Sequence, residues 1–251
     1  GSLNDEVLRN LDERLKYLRN LEERKEQVIN SIREQEKLTP ELEKKILAAS
    51  TLVAVEDLYL PYRPKRKTRA SIAKEKGLEP LANLVLMQLT KTPLLKEAEH
   101  YISEEKGVLT AEEALNGAKD ILAERIAETA EYRTYIRKAT FQEGSLDSSA
   151  RDGNAESVYE MYYNFTEPVK KAAGHRILAL NRGEKEKILT VKITAPEEKI
   201  LRYLEKKVIT RENPETARVL REVTEDSYKR LISPAIEREI RSELTENAEA
   251  G

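Results

Sequence analysis

Leucines recur at intervals of three and four residues along the first part of the chain, which is the spacing of one face of an α-helix. The stripe comprises Leu8, Leu11, Leu15, Leu18 and Leu21, and Val28 and Ile32 resume it. A coiled coil needs about three or four clean heptads, and this stripe weakens at Lys25. The pattern therefore predicts one long helix that packs against the rest of the chain, with a coiled coil as the alternative.

Capping signals predict shorter helices farther along. Thr39 is followed by Pro40, a residue that suits the first helical position. Thr110 and Glu113 have the spacing of a capping box. Gly117 inside the helix that follows costs about 1 kcal/mol relative to alanine, which indicates a close approach by another helix.

Strand signals are few. Alternating, β-branched residues predict a strand over 188–194, and 207–210 is the expected partner. The small and polar residues from Gly144 to Asn154 predict an exposed loop. The predicted fold is therefore mainly α, a multi-helical array with a long N-terminal helix and at most one short β-hairpin-like element.

The chain is expected to divide near this loop. Residues 3–145 are predicted to form an N-terminal helical scaffold, and residues 146–251 a helical region that contains the short strands. Gly1 and Ser2 resemble the remnant of a cleaved tag, so the chain is expected to be part of a longer protein.

Composition argues against an enzyme. The 251 residues include 44 Lys and Arg against 46 Asp and Glu, no Cys and two His. There is no thiolate nucleophile, no His or Cys metal-ligand pattern, and no glycine-rich phosphate loop. No stretch approaches the roughly 18 to 20 consecutive apolar residues of a membrane span. We expect no catalytic residues, no bound metal and no cofactor.

One basic segment departs from this neutral background. We call residues 61–69 the strap. It carries Arg63, Lys65, Arg66, Lys67 and Arg69 without an acid, and prolines hold it extended. Regularly spaced cations suit phosphates, and Tyr62 could stack on a base, so these six residues are the candidate nucleic-acid contacts. The alternative is that tyrosines fix the strap across helices while its cations are solvated or paired.

The strap and its flanks resemble a hallmark of the Tex family of bacterial transcription accessory proteins. The matching stretches are Glu56 to Ala70, Leu15 to Arg19, His175 to Ala179 with Arg182-Gly183-Glu184, and Ser233 to Glu239. The resemblance implies a longer protein with a helix-turn-helix-like region, an RNase H-like (YqgF-type) domain, helix-hairpin-helix elements and a C-terminal OB-fold that binds RNA. It places this segment before the RNase H-like domain.

The resemblance implies a cytoplasmic protein that binds nucleic acid, either RNA or DNA, and serves transcription. For this segment we expect a non-catalytic helical scaffold that positions flanking domains, with nucleic-acid binding weak or absent outside the whole protein. The alternative is a protein-interaction module that docks a transcription or translation partner. No membrane association is expected.

Overall fold

The computed structural model describes residues 2–153 and 155–251. Gly1, half of the expected tag remnant, and Asn154, the last residue of the expected loop, lie outside the described residues. Contacts divide the chain into two compact units. Unit 1 runs to Arg66 and includes Glu128–Ala130, whereas unit 2 comprises Lys67–Ala127 and Glu131–Gly251. The predicted division between residues 145 and 146 stays a prediction.

Unit 1 consists of a long helix and two short ones. These are α1 (Ser2–Glu34), α2 (Pro40–Ala48) and α3 (Leu52–Tyr59). Thr39 caps α2 as predicted, because its Oγ1 accepts from the Leu42 amide at 3.1 Å. A small core joins the three helices, and α1 contributes Leu21, Val28, Ile29 and Ile32 to it.

The expected packing of α1 holds only for its C-terminal half. Leu21 is the first buried residue of α1, and residues 2–20 are exposed except for the partly buried Tyr17. The prediction that the leucine stripe packs against the rest of the chain is therefore wrong from Leu8 to Leu18. The reason is that α2 and α3 pack only on the part of α1 that begins near Tyr17.

Unit 2 is built around one central helix. The helices are α4 (Arg69–Glu75), α5 (Glu79–Met87), α6 (Leu94–Glu99), α7 (Ala111–Ala127), α8 (Ala130–Glu143), α9 (Gly174–Lys185), α10 (Glu197–Val208), α11 (Pro214–Asp226) and α12 (Ser233–Ala250). Helix α7 contacts α4, α5, α6 and α11. Thr110 Oγ1 accepts from the Glu113 amide, as a capping box predicts. The Glu113 carboxylate accepts from the Leu109 amide, one residue before the Thr110 amide that the motif predicts.

The predicted close approach at Gly117 is confirmed. A Cβ at this position would lie 2.3 Å from Leu78 Cδ1 and 3.3 Å from Ala73 Cβ. Ala73 belongs to α4, which packs on α7, and Leu78 lies just before α5. A glycine here lets the neighbouring residues approach the α7 backbone.

Helices α11 and α12 are joined by a π-helical turn, Ser227–Ile232. The Ser233 amide donates to Tyr228 O, five residues back, just before Pro234. Proline cannot donate to the residue four positions earlier, so a wider turn before it lets the helix continue without that bond. The buried Ser227 Oγ donates to Ala123 O at 2.6 Å, which fixes this turn on α7.

The mainly α prediction is confirmed, but the β element is larger than the single hairpin expected. Strands β1 (Ser145–Ala150), β2 (Asn164–Pro168) and β3 (Leu189–Thr194) form an antiparallel sheet in the order β2-β1-β3. The strand predicted at 188–194 is present, but the loop predicted at 144–154 contains the central strand. The strand predicted at 207–210 is wrong, because α10 continues to Val208 and β3 pairs with β1.

The two faces of the sheet differ in polarity. Leu146 and Ser148 of β1 are buried on one face, whereas Asp147 lies on the other, opposite Thr166 and Lys192. Burial alone would raise the pKa of Asp147, but hydrogen bonds from the hydroxyls of Thr166, Thr194 and Ser145 outweigh it and lower that pKa. These bonds tie all three strands to one carboxylate.

Candidate nucleic-acid interface

The strap is fixed at both ends by local structure. At its start, the buried Tyr59 shares a 2.8 Å hydrogen bond with Ser31, and a 3₁₀ turn at Leu60–Tyr62 includes the first two residues of the strap. At its end, the Thr68 hydroxyl accepts from the Ser71 amide and the Ser71 hydroxyl accepts from the Thr68 amide, which caps α4 at Arg69. The residues between have no regular structure, as two closely spaced prolines predict.

Tyr62 is a packing residue. Its side chain is half-buried against the core of unit 1, and its carbonyl accepts from Gln35 Nε2 at 2.8 Å. Tyr59 is 8% exposed and belongs to that core. Both tyrosines therefore fit the alternative that the sequence left open, in which aromatic rings hold the strap in place.

Four of the five cations fall into two groups. Arg63, Arg66 and Lys67 are exposed, and in the described part of the chain no hydrogen bond or ion pair involves their side chains. Lys65 differs, because its ammonium forms an ion pair with the carboxylate of Glu128, a side chain that is only 16% exposed. Three positions within five residues of the chain therefore present uncompensated positive charge.

Arg69, the first residue of α4, lies in a mixed-charge cluster. Burial raises the pKa of Asp120 on α7, and the charges of Arg230 and Arg69 oppose that rise. Arg230 is held by the Asp226 carboxylate, with Nη2 to Oδ2 at 2.8 Å. Acids therefore compensate the positive charge near Arg69, in contrast to Arg63, Arg66 and Lys67.

The other residues that carry the resemblance make structural contacts inside their own units. In unit 1 the Tyr17 hydroxyl accepts from the Leu52 amide at 3.0 Å, at the start of α3. In unit 2 Glu237 accepts from the Ile193 amide at 2.7 Å, which covers the free edge of β3. Sequence reasoning did not find these roles, because each depends on a partner distant in the chain.

Other residues of the stretches that resemble the Tex family form ion pairs within unit 2. Glu239 binds Arg133 and Arg137, both at 2.8 Å, and so ties α12 to α8. Arg176 lies 2.8 Å from a carboxylate oxygen of Glu167, which ties α9 to β2. The two histidines are exposed, His100 just after α6 and His175 in the first turn of α9.

Unit 2 also contains a cavity of about 300 Å³ between α6, α7 and α11. Leu94, Leu115 and Val219 line it, and at its rim Lys119 and Glu222 form an ion pair at 2.9 Å. Among the described residues, no group of three or more His, Cys, Asp or Glu side chains is placed to hold a metal ion. No helix within 2–153 or 155–251 has the length and apolarity needed to span a membrane.

A family model described as Tex central region-like matches residues 90–251. The uncharacterized protein YdcI of Bacillus subtilis is 50% identical over 99% of this chain and 35% of its own length. The transcriptional accessory protein Tex of Neisseria gonorrhoeae is 39% identical over 76% of this chain and 25% of its own length. The human S1 RNA-binding domain-containing protein 1 is 30% identical over 99% of this chain and 26% of its own length.

The chain spans about a third or less of the length of each of these relatives. The strap lies outside the family-model match but within the alignments to YdcI and the human protein, which cover almost the whole chain. Because the family model matches more than half of the residues, this chain belongs to the Tex family.

Proposed function

We propose that this segment is a non-catalytic helical scaffold in a cytoplasmic, nucleic-acid-binding transcription accessory protein, and that its strap contacts phosphate. The names of two relatives support the setting, one a transcriptional accessory protein and the other containing an S1 RNA-binding domain. As a scaffold, the segment would position the domains that flank it in a protein several times its length.

The observation that carries the phosphate contact is the exposed, uncompensated charge of Arg63, Arg66 and Lys67. Phosphate contacts need positive charge at the surface and carry no base specificity, so an unpaired cluster on a chain of near-zero net charge favours them. Lys65 contributes less because Glu128 already neutralises it.

The test is the salt dependence of binding to a single-stranded RNA oligomer, measured by fluorescence anisotropy between about 50 and 200 mM salt. Each lost phosphate contact flattens the log-log slope by about 0.7, so R63A/R66A/K67A should flatten it by about 2. K65A should flatten the slope by less than the roughly 0.7 expected for one phosphate contact. The control K170A/K171A/K185A removes three exposed lysines elsewhere, and its slope should match that of the unmodified chain.

Two results would count against phosphate binding by the strap. One is no retention of the unmodified chain on RNA or duplex DNA even at low salt. The other is an equal slope for the strap variant and its control. Either result would leave the scaffold role and favour the second candidate, a protein-interaction module, which the exposed apolar stripe of α1 supports.

A further inference from the structure

The N-terminal half of α1 carries an apolar stripe that nothing in unit 1 covers. Leu8 is 63% exposed, Leu11 55%, Leu15 47% and Leu18 38%. Leu3 and Val7 extend the stripe toward the start of the helix and are also exposed. A contiguous run of exposed leucines on one helix face indicates an interaction surface.

The stripe continues the seam that holds unit 1 together. If Leu8 and Leu15 occupy heptad positions a, then Leu11 and Leu18 occupy positions d. Glu22 and Lys25 interrupt this register, and Ile29 and Ile32 resume it. Ile29 is 6% exposed and Ile32 is fully buried. The C-terminal part of this seam is therefore packed in the core of unit 1, whereas its N-terminal part, from Leu8 to Leu18, is an exposed apolar surface.

Charge divides the exposed part of α1 into two halves. Residues 2–13 contain four acids, Asp5, Glu6, Asp12 and Glu13, and one base, Arg9, which gives a net charge of -3. Residues 14–20 contain three bases, Arg14, Lys16 and Arg19, and no acid, which gives +3. The helix dipole accounts for acids in the first turn, but not for bases in the middle of a helix that continues to Glu34.

We propose that this surface binds a second copy of the same chain, with the two α1 helices antiparallel. An antiparallel pair places the acidic half of each copy against the basic half of the other, whereas a parallel pair places like charges together. The leucines fit the same axis: Leu11 meets Leu15 of the second copy, Leu8 meets Leu18, and the twofold axis passes near residue 13, where the charge changes sign.

The first test is the concentration dependence of mass for the 251-residue chain, by sedimentation velocity. The seam has only four leucine layers, so we expect a reversible dimer that dissociates at micromolar concentrations. Leu11→Asp should weaken dimerisation on the order of a hundred-fold or more, since the pair loses two buried leucines. Leu109→Asp, at a leucine that is 62% exposed in unit 2, is the matched control and should dimerise normally.

Charge reversal distinguishes this specific antiparallel pairing from non-specific hydrophobic association. One variant reverses the basic half: Arg14→Glu, Lys16→Glu, Arg19→Glu. The other reverses the acidic half: Asp5→Lys, Glu6→Lys, Asp12→Lys, Glu13→Lys. Each alone should be monomeric with unchanged helix content by circular dichroism, and an equal mixture should recover the dimer.

Cysteine cross-linking fixes the orientation, because the chain has no cysteine of its own. An antiparallel pair predicts a disulfide between a Leu11→Cys chain and a Leu15→Cys chain, and little within either alone. Cross-linking of Leu11→Cys with itself at equal or higher yield would overturn the antiparallel arrangement. A chain that stays monomeric at all concentrations, or a mixture of the charge variants that does not associate, would overturn the proposal.

Discussion

Gln88 is a buried polar residue whose side chain joins two loops of unit 2. It is 4% exposed, and it ends α5 in the left-handed conformation with φ 59°. Its Nε2 donates to Val208 O at 2.9 Å and to Leu86 O at 3.0 Å, and its Oε1 accepts from the Thr210 amide at 3.0 Å. The glutamine thus ties the end of α5 to the end of α10.

Gln88→Ala removes these bonds and leaves the buried Val208 carbonyl without a replacement. The buried Val208 carbonyl loses its partner at a cost of about 1 to 3 kcal/mol, whereas Thr210 is exposed and its amide can bond water, so the expected loss is about 1 to 3 kcal/mol. Gln88→Gly should lose about 1 kcal/mol less, because glycine adopts positive φ without the steric cost that a Cβ imposes.

Urea denaturation followed by circular dichroism measures both variants. Because the chain has two compact units, the transition should be fitted with two steps, and hydrogen exchange of α5 and α10 should show which unit weakens. Gln142→Ala changes an exposed glutamine of the same unit and should stay within about 0.5 kcal/mol. A loss for Gln88→Ala within that range, or a glycine variant no more stable than the alanine variant, would refute this role for Gln88.

Three further predictions concern unit 2. Gly117→Ala should destabilise in urea, since its Cβ would lie 2.3 Å from Leu78 Cδ1, and the gain of about 1 kcal/mol expected from helix propensity would contradict the packing. Tyr135 and Tyr203 stack with ring centroids 3.6 Å apart, so a double-mutant cycle to alanine should give a coupling of about 0.5 to 1.5 kcal/mol, and zero coupling would count against it. Hydrogen bonds lower the pKa of Asp147, so Asp147→Asn should be less stable than the unmodified chain at pH 7. The difference in stability should shrink as the pH falls below about 4, where the carboxylate becomes protonated, and a pH-independent difference would disprove this.

Periodicity and capping residues predicted α1, α2 and α7 because these signals are local. Thr39 and Thr110 act within a few residues of where they lie in the sequence, and the structure confirms both as capping hydroxyls. Strand β1 could not be predicted in this way. Its residues have little β propensity, and it is a strand because β2 and β3 pair with it on both sides and their hydroxyls bind Asp147.

At the candidate site, too, the sequence could not predict contacts with residues that are distant in the chain. The sequence identified the positive charges and the prolines that keep them out of a helix. It could not distinguish Lys65 from Arg66, since Glu128 lies far along the chain and reaches Lys65 only in the folded unit. With Lys65 paired and Arg69 beside Asp120, the expected group of five cations becomes three free ones, Arg63, Arg66 and Lys67. This number is what makes a quantitative salt experiment possible.

Lys25 shows why a stripe indicates an apolar face but not its partner. In the sequence it interrupts the leucines of α1 and argues against a coiled coil. In the structure it is 5% exposed, and its Nζ donates to Leu47 O at 2.8 Å. The last carbonyls of a helix lack intrahelical partners and carry partial negative charge, so a lysine is favourable there. The interruption thus marks where α2 ends against α1, and the exposed leucines from Leu8 to Leu18 lie beyond the part of α1 that the core of unit 1 covers.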